Sequence, residues 1–411
     1  MAAASGWRAP PARAPRSASA CRCTGWRAHG TPTPEFQHSP RVCVRHGGSM
    51  ASHPPSLGRL QVLTILFVAL IQSPAVLWAC GVTHSPLPAL GAVLVSLPYL
   101  RHLQTPWQST SPARMAYLTL GWWSACLVFG VLLLPATLAI HAGLPRAWVW
   151  GVCGVFALAV GAHSVLGRPR LRRLEVRVEG LAPELDGYRI GQLSDVHCGP
   201  YVPESRVATW VTRLNALEVD LMSVTGDLIT QGSSHVEAVS RALGGLRARD
   251  GVFACMGNHD YFTDGERFVQ ALERQGLTVL RNRGVVVQRG NARLYVAGVD
   301  DTWTSRHDLR RALAARPEGV PTVLLAHDPN LFPQAQAQAV ELTLSGHTHG
   351  GQLAVPGVRG LSLARFISRW TAGLYRQDRS WLYVNRGAGT TGPPVRLGAP
   401  AELAVITLRR A

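Results

Sequence analysis

Between Leu60 and Ala162 the chain contains no Asp or Glu, and this absence limits its possible folds more than any other feature. Four apolar runs fill the stretch, at about 60 to 80, 86 to 100, 115 to 140 and 147 to 166. A helix needs roughly 20 apolar residues to cross a bilayer. The first, third and fourth runs supply them, whereas the second is short and carries Pro86, Pro88 and Pro98. A buried bundle of a soluble protein would show polar outer faces at helical spacing, and none is visible. The expectation is a transmembrane helical anchor of about four spans over residues 59–167, and hence a multi-pass protein of the cell membrane.

Arginine is unevenly placed around these runs. Arg59 precedes the first, Arg101 and Arg114 separate the second from the third, and Arg168, Arg170, Arg172 and Arg173 follow the fourth; only Arg146 falls on the other side. With four spans, the positive-inside rule puts both the N terminus and the C-terminal part in the cytoplasm. If the second run does not cross, that parity breaks. Residues 1–58, rich in Ala, Arg, Pro, Ser and Gly without apolar periodicity, read as disordered, and Met50 offers an alternative start of translation.

The net charge of +17 divides into +14 up to Arg173 and +3 beyond. The C-terminal part therefore lacks the basic stripe that nucleic-acid binding requires, and no nucleic-acid partner is expected. All 41 basic residues are Arg. Without Lys there is no P-loop lysine, no kinase strand lysine and no pyridoxal Schiff base. A G-x-S-x-G elbow is also missing, and the eight Cys show no C-x-x-C spacing that would announce a disulfide framework. Cys198 reads as a small buried residue.

After Arg173 short β-branched runs alternate with amphipathic segments, which predicts a mixed α/β domain over residues 168–411. Strands are expected at 188–193, 221–225, 252–256, 322–326, 342–344, 382–384 and 403–408, with a hairpin turning around Arg289-Gly290-Asn291. Helices are expected from Val207 to Leu217 and from Val236 to Leu246. The stretch Leu363 to Tyr375 places Phe366, Ile367, Trp370 and Leu374 at helix-compatible spacing.

Polar residues of metal-ligand type stand directly after the predicted strands, where a sheet would deliver them together at one edge. They occur in SDVH (194–197), TGDL (225–228), GNHD (257–260), AHDPN (326–330) and SGHTHGG (345–351), and these segments hold five of the seven His of the α/β part. The set mixes imidazole, carboxylate and amide oxygen without thiolate, which suits Mn, Fe or Zn and argues against a structural zinc site. On a strand His347 and His349 would point to opposite faces; on a turn permitted by Gly346, Gly350 and Gly351 they can converge.

D-x-H, G-D, G-N-H-D, a lone His and G-H-T-H, in this order over about residues 185–411, resemble the calcineurin-like metallophosphoesterases. GHTHGGQ (346–352) and NRGAGTTGPPVRLG (385–398) are similar to bacterial membrane-associated members. The resemblance implies two mixed β-sheets packed together and flanked by helices. It implies two divalent metal ions, one held by Asp195, His197, Asp227 and His349, the other by Asp227, Asn258, His327 and His347. It implies hydrolysis of a phosphoester or pyrophosphate bond, with a lipid-linked substrate as one candidate. His259 would contact phosphate beside Asn258 and protonate the leaving oxygen. Asp260 would hold the His259 ring, or else cap a turn. Arg386, and less so Arg396, would bind a second phosphate or carboxylate, or else form a salt bridge. A tethered phosphodiesterase of soluble or cyclic nucleotides, and a non-catalytic metal-binding sensor or scaffold, are the rival readings.

Overall fold

A computed structural model describes residues 57–102, 112–199, 201–230, 232–262, 264–355, 358, 361–392 and 394–411. The expectations for the first 56 residues and for Met50 lie outside them. Four helices come first: α1 (Leu57–Thr83), α2 (Leu87–His102), α3 (Pro112–His141) and α4 (Arg146–Leu166). Among the described residues two stretches are long and apolar enough to cross a membrane, Trp122–His141 and Arg146–Ser164; the apolar stretches Ala69–Thr83 and Leu87–Ser96 are shorter. Polar contacts lie between these helices. Gln72 Nε2 donates to Ser96 Oγ at 3.2 Å, Trp122 Nε1 to Gln72 Oε1 at 2.7 Å and Trp123 Nε1 to Ser96 Oγ at 3.1 Å.

The rest alternates strands and helices: β1 (Arg170–Val178), β2 (Arg189–Leu193), α5 (Glu204–Asn215), β3 (Leu221–Thr225), α6 (Val236–Leu243), β4 (Val252–Cys255), α7 (Gly265–Arg274), β5 (Thr278–Val279), β6 (Arg283–Arg289), β7 (Ala292–Gly298), α8 (Leu309–Leu313), β8 (Thr322–Leu325), α9 (Phe332–Ala337), β9 (Leu342–Ser345), β10 (Gly373–Gln377), β11 (Ser380–Val384) and β12 (Glu402–Arg410). They form two mixed six-stranded sheets, ordered β1-β12-β2-β3-β4-β5 and β10-β11-β9-β8-β7-β6. The expected α/β architecture of two packed sheets with flanking helices is present.

Side-chain alternation builds the layers. On β12, Leu403 and Val405 face the core shared with α5, α6 and α7, while Ala404, Ile406 and Leu408 face the core between the sheets. The same split separates Met222 from Leu221 on β3. A third core joins β7 and β8 to α8 and α9. Each fully buried Leu or Ile contributes about 1.5–3 kcal/mol, so both faces of each sheet are committed. Five parallel strands, β2, β3, β4, β8 and β9, thereby end at the meeting edge of the two sheets, and the loops that follow them carry the ligand-type segments.

Two expectations are corrected. No long helix runs from Leu363 to Tyr375: a single 3-10 turn at Leu363–Phe366 gives way to β10. Gly373 at φ 91° turns the chain, and the Trp370 ring packs against Phe332 and Tyr375 instead of lying on a helical face. The helix from Val236 ends at Leu243, before Gly244-Gly245, and does not reach Leu246.

Candidate functional site

Each ligand-type residue stands on a turn that leaves a strand abruptly. Asp195 and His197 follow β2, Asp227 follows β3, Asn258 follows β4, His327 follows β8, and His347 and His349 follow β9. Five of these seven residues have positive φ: Asp195 50°, His197 47°, Asp227 53°, His347 71° and His349 52°. For a residue with a Cβ the left-handed region costs roughly 1–2 kcal/mol, and such strain gathers at functional sites. Two glycines let the turns close on one another. A Cβ on Gly257 would strike the Asp227 carboxylate, and one on Gly346 would strike Ser194 Oγ and the Asp195 carboxylate.

The turns bring six of the seven side chains together, and Asn258 stands beside His259 on the turn after β4. Asp195, His197 and His349 form one group of donor atoms within 4.8 Å of one another, Asp227, His327 and His347 a second, and His197, Asp227 and His259 a third. Asp227 joins them: its Oδ2 lies 3.6 Å from His197 Nε2 and 3.2 Å from His327 Nε2. Across the first group His349 Nε2 is 3.4 Å from Asp195 Oδ1 and 2.9 Å from His197 Nε2. His347 and His349 enter two different donor groups, His349 from a 3-10 turn over His349–Gly351.

Charges crowd this enclosed volume. Burial, reinforced by Asp227, pushes the Asp195 carboxyl up to about 7. Burial also disfavours charge on Asp227, but His327, His259 and His197 outweigh it and hold its carboxyl well below the usual range. On His327 burial opposes the proton, yet Asp227 and Asp195 carry its pKa well above the ordinary imidazole value. Burial holds His197 and His349 well below that value and lowers His347 to about 4. Burial thus favours the neutral form, with a lone pair to offer, on these three imidazoles.

The donor set fits a pair of divalent cations. Asn258 Oδ1, His327 Nε2 and His347 Nε2 are buried without a hydrogen-bond partner, and a cluster of such atoms is accounted for by a bound ion. His327 Nδ1 faces Thr225 O at 2.7 Å, the second contact that orients a metal-binding imidazole. Nitrogen and oxygen donors without thiolate match Mn, Fe or Zn.

The remaining candidates separate. His259 is half-buried, its ring edge-on to His197 at 4.8 Å, with Nδ1 2.7 Å from Thr230 O. Asp260 does not hold that ring. Its carboxylate accepts from Leu228 N at 2.7 Å and Gly257 N at 2.9 Å, so it braces the turns that carry Asp227 and Asn258. Burial, with Asp227 nearby, pushes its carboxyl up to about 7. Arg386 is committed to a salt bridge: Nη1 donates to buried Glu402 at 2.7 Å. Arg396 is buried and donates to the carbonyls of Arg386, Gly389 and Ala399, with Nη2 3.2 Å from His349 Nδ1. Cys198 is fully buried, its thiol pushed up to about 12 by burial.

Sequence reasoning missed four contributors. Ser194 Oγ donates to Asp195 Oδ2 at 2.6 Å, and the Thr230 carbonyl orients His259. Phe262 and Trp303 are exposed aromatics beside the cluster, with ring centroids 4.7 Å from His259 and 5.1 Å from His347. Phe262 follows GNHD closely enough to have been suspected; Trp303 lies in a loop that no motif marks.

Comparison with known proteins agrees with this geometry. A family model described as calcineurin-like phosphoesterase matches residues 188–351. The chain is 32% identical over 288 residues to a Danio rerio protein named transmembrane protein with metallophosphoesterase domain, covering 66% of this chain and 65% of that one. It is 32% identical over 228 residues to an uncharacterized metallophosphoesterase of Bacillus subtilis, covering 54% and 80%. With an uncharacterized metallophosphoesterase of Aquifex aeolicus it shares 31% identity over 262 residues, covering 62% and 97%. The chain thus spans slightly under two thirds of the length of the Danio rerio relative.

Proposed function

Because the chain belongs to the calcineurin-like phosphoesterase family, we propose that it is a membrane-anchored hydrolase cleaving a phosphoester or pyrophosphate bond at a two-metal centre. The observation that carries this reading is the convergence of six of the seven proposed donors, with Asn258 Oδ1, His327 Nε2 and His347 Nε2 buried and unpartnered. Asp195, His197, Asp227 and His349 would hold one ion, and Asp227, Asn258, His327 and His347 the other. When bound, the ions supply Lewis-acid polarisation of the phosphoryl oxygens and a water made acidic enough to attack at neutral pH.

The chain's own residues set the stage for that chemistry. Asp227, central among three imidazoles, ties the two donor groups into one unit. Arg396 locks the loop around His349 from behind. With its Nδ1 on Thr230 O, His259 presents Nε2 outward and delivers a proton to the leaving oxygen. Phe262 and Trp303 supply apolar walls for the group attached to the phosphate, which favours a lipid-linked or other apolar substrate. The same pair supports a second reading, a nucleotide phosphodiester whose base stacks on an aromatic face.

In this proposal residues 59–167 form a four-span anchor and 168–411 the catalytic domain. The Arg excess around the runs supports a cytoplasmic position for that domain. The test is turnover of the purified full chain with added Mn, on alkyl and nitrophenyl phosphodiesters. His259→Asn should slow the alkyl ester, whose leaving group needs a proton, by about 10²- to 10⁴-fold while changing the nitrophenyl ester far less. Equal losses on both would remove His259 as proton donor, and a wild-type chain that binds metal without turnover would leave the scaffold reading.

A further inference from the structure

Where α4 gives way to β1, a cleft opens between the helix end and the loops of the first sheet. His163, Arg168, Arg170 and Arg206 line it, and among the described residues no Asp or Glu does. Arg206 is anchored by donating to the Tyr201 carbonyl at 3.2 Å. Arg168 and Arg170 are exposed, and among the described residues their side chains have no hydrogen-bond or ion-pair partner. Elsewhere the arginines of the α/β part are widely paired, as Arg281, Arg289, Arg386 and Arg409 are with carboxylates. Arg168 and Arg170 thus bring two cations without internal counterions to a cleft that Arg206 also lines.

Tyr201 and Pro394 wall this cleft, and the same two residues close one end of an apolar groove of about 540 Å3 between α3 and α4. Phe129, Leu132, Trp150, Gly154, Ala157 and Val395 line the groove. Along α4 it extends from Gly161 to Trp150, which at 1.5 Å per helical residue is roughly 16 Å, a length that an acyl chain fills. A Cβ added at Gly154 or Gly161 would meet nothing within 4 Å, so the groove is open beside both. The two features meet end to end, cationic where the chain leaves the apolar helix and apolar along the helix itself.

We propose that this junction binds one anionic membrane phospholipid, its headgroup phosphate held by Arg168, Arg170 and Arg206 and one acyl chain lying in the groove between α3 and α4. The inference rests on the membrane reading of these helices and is independent of the chemistry at the donor cluster, none of whose seven residues lines either feature. Charge complementarity selects the occupant: arginines near a bilayer surface favour anionic over zwitterionic lipids. The site also adjoins the centre, because Ala388, Gly389 and Arg396 form the inner wall of the cleft, and Arg396 reaches His349.

The full chain in detergent micelles is offered phosphatidylglycerol, phosphatidylcholine or inorganic phosphate, and bound species are counted by native mass spectrometry. One phosphatidylglycerol per chain should be retained against excess of the other two. Arg168→Gln combined with Arg170→Gln should lower its retention roughly thirtyfold, while the paired Arg→Lys replacements should restore it. Gly154→Leu, which fills the groove and is helix-favourable, should weaken long-chain lipid without the arginines being touched. Equal retention of the two lipids, displacement by inorganic phosphate, or wild-type retention by the double Gln variant would overturn the proposal. Extraction of the chain from membranes by alkaline carbonate would instead overturn the membrane reading itself.

Discussion

In α1–α4 the large apolar side chains point outward, with Leu70 72% and Trp148 75% exposed, while Gln72, Ser96 and Thr119 are buried. In the sheets the arrangement is reversed for apolar residues: Ile190, Leu193, Leu221 and Leu344 are fully buried, and strand arginines such as Arg189 and Arg283 lie at the surface. Both regions nevertheless bury polar groups, to different ends. In the bundle the buried groups are neutral and satisfy one another, Gln72 with Ser96 and Trp122. At the sheet edges they include carboxylates and imidazoles, several without partners. The contrast teaches that an apolar exterior reports the solvent a region is built for, whereas an unsatisfied polar interior reports a ligand.

The largest expected effect attacks the polar interior. Asp227→Asn removes the central carboxylate, so metal content measured by mass spectrometry should fall below two ions per chain, and turnover should drop beyond the roughly 10- to 100-fold that losing an outer contact costs. Two retained ions with ordinary turnover would mean that Asp227 is not shared. An intermediate effect attacks the apolar exterior. Val131, 51% exposed near the middle of Trp122–His141, should tolerate Leu but not Arg, which costs about 2.5–3.5 kcal/mol at a span centre. Val131→Arg should reduce the membrane-integrated fraction, and in the wild type a reporter fused after Ala411 should be active in the cytoplasm. Unchanged integration, or a reporter active only outside, would break the comparison or invert it.

The smallest effect sharpens it. His347 holds φ 71°, so in the metal-free protein His347→Gly should be more stable than His347→Ala by about 0.5–1 kcal/mol, read from chemical denaturation. Both variants lose the same ring, and the difference isolates the backbone. If the alanine variant were the more stable, the left-handed conformation at this position would carry no strain.

Much of both sheets was legible because each buried parallel strand is a short apolar run that stops at a polar segment: Leu221–Thr225 was placed to the residue, and β2, β4, β8 and β9 within one or two. β1 was not legible. Arg172 and Arg173 interrupt its alternation, and its pairing partner β12 is remote in sequence. β10 was obscured by a coincidence: Phe366, Ile367, Trp370 and Leu374 match a helical period, while the structure uses the Tyr375 hydroxyl to accept from Thr371 N and Ala372 N across a turn. In the site, the seven proposed donors carry motifs, and six of them stand in the converging donor groups. Thr230 acts through its carbonyl and Asp260 through backbone amides, and neither kind of contact leaves a mark on residue identity. For Arg386 the sequence left a phosphate contact and a salt bridge open, since its partner Glu402 stands 16 residues away on β12.

The position of β12 between β1 and β2 also sets the order in which the protein can come into being. A ribosome releases α1–α4 first, then β2, β3 and β4 with Asp195, Asp227 and Asn258, and only much later Glu402–Arg410. At about 5–20 residues per second, β2 waits roughly 10–40 s for its neighbour. Throughout that interval the edge of β2 is unpaired, the kind of edge that invites wrong partners. An anchor already delivered to the membrane would keep such half-made chains apart on a surface while the closing strand is still being synthesised.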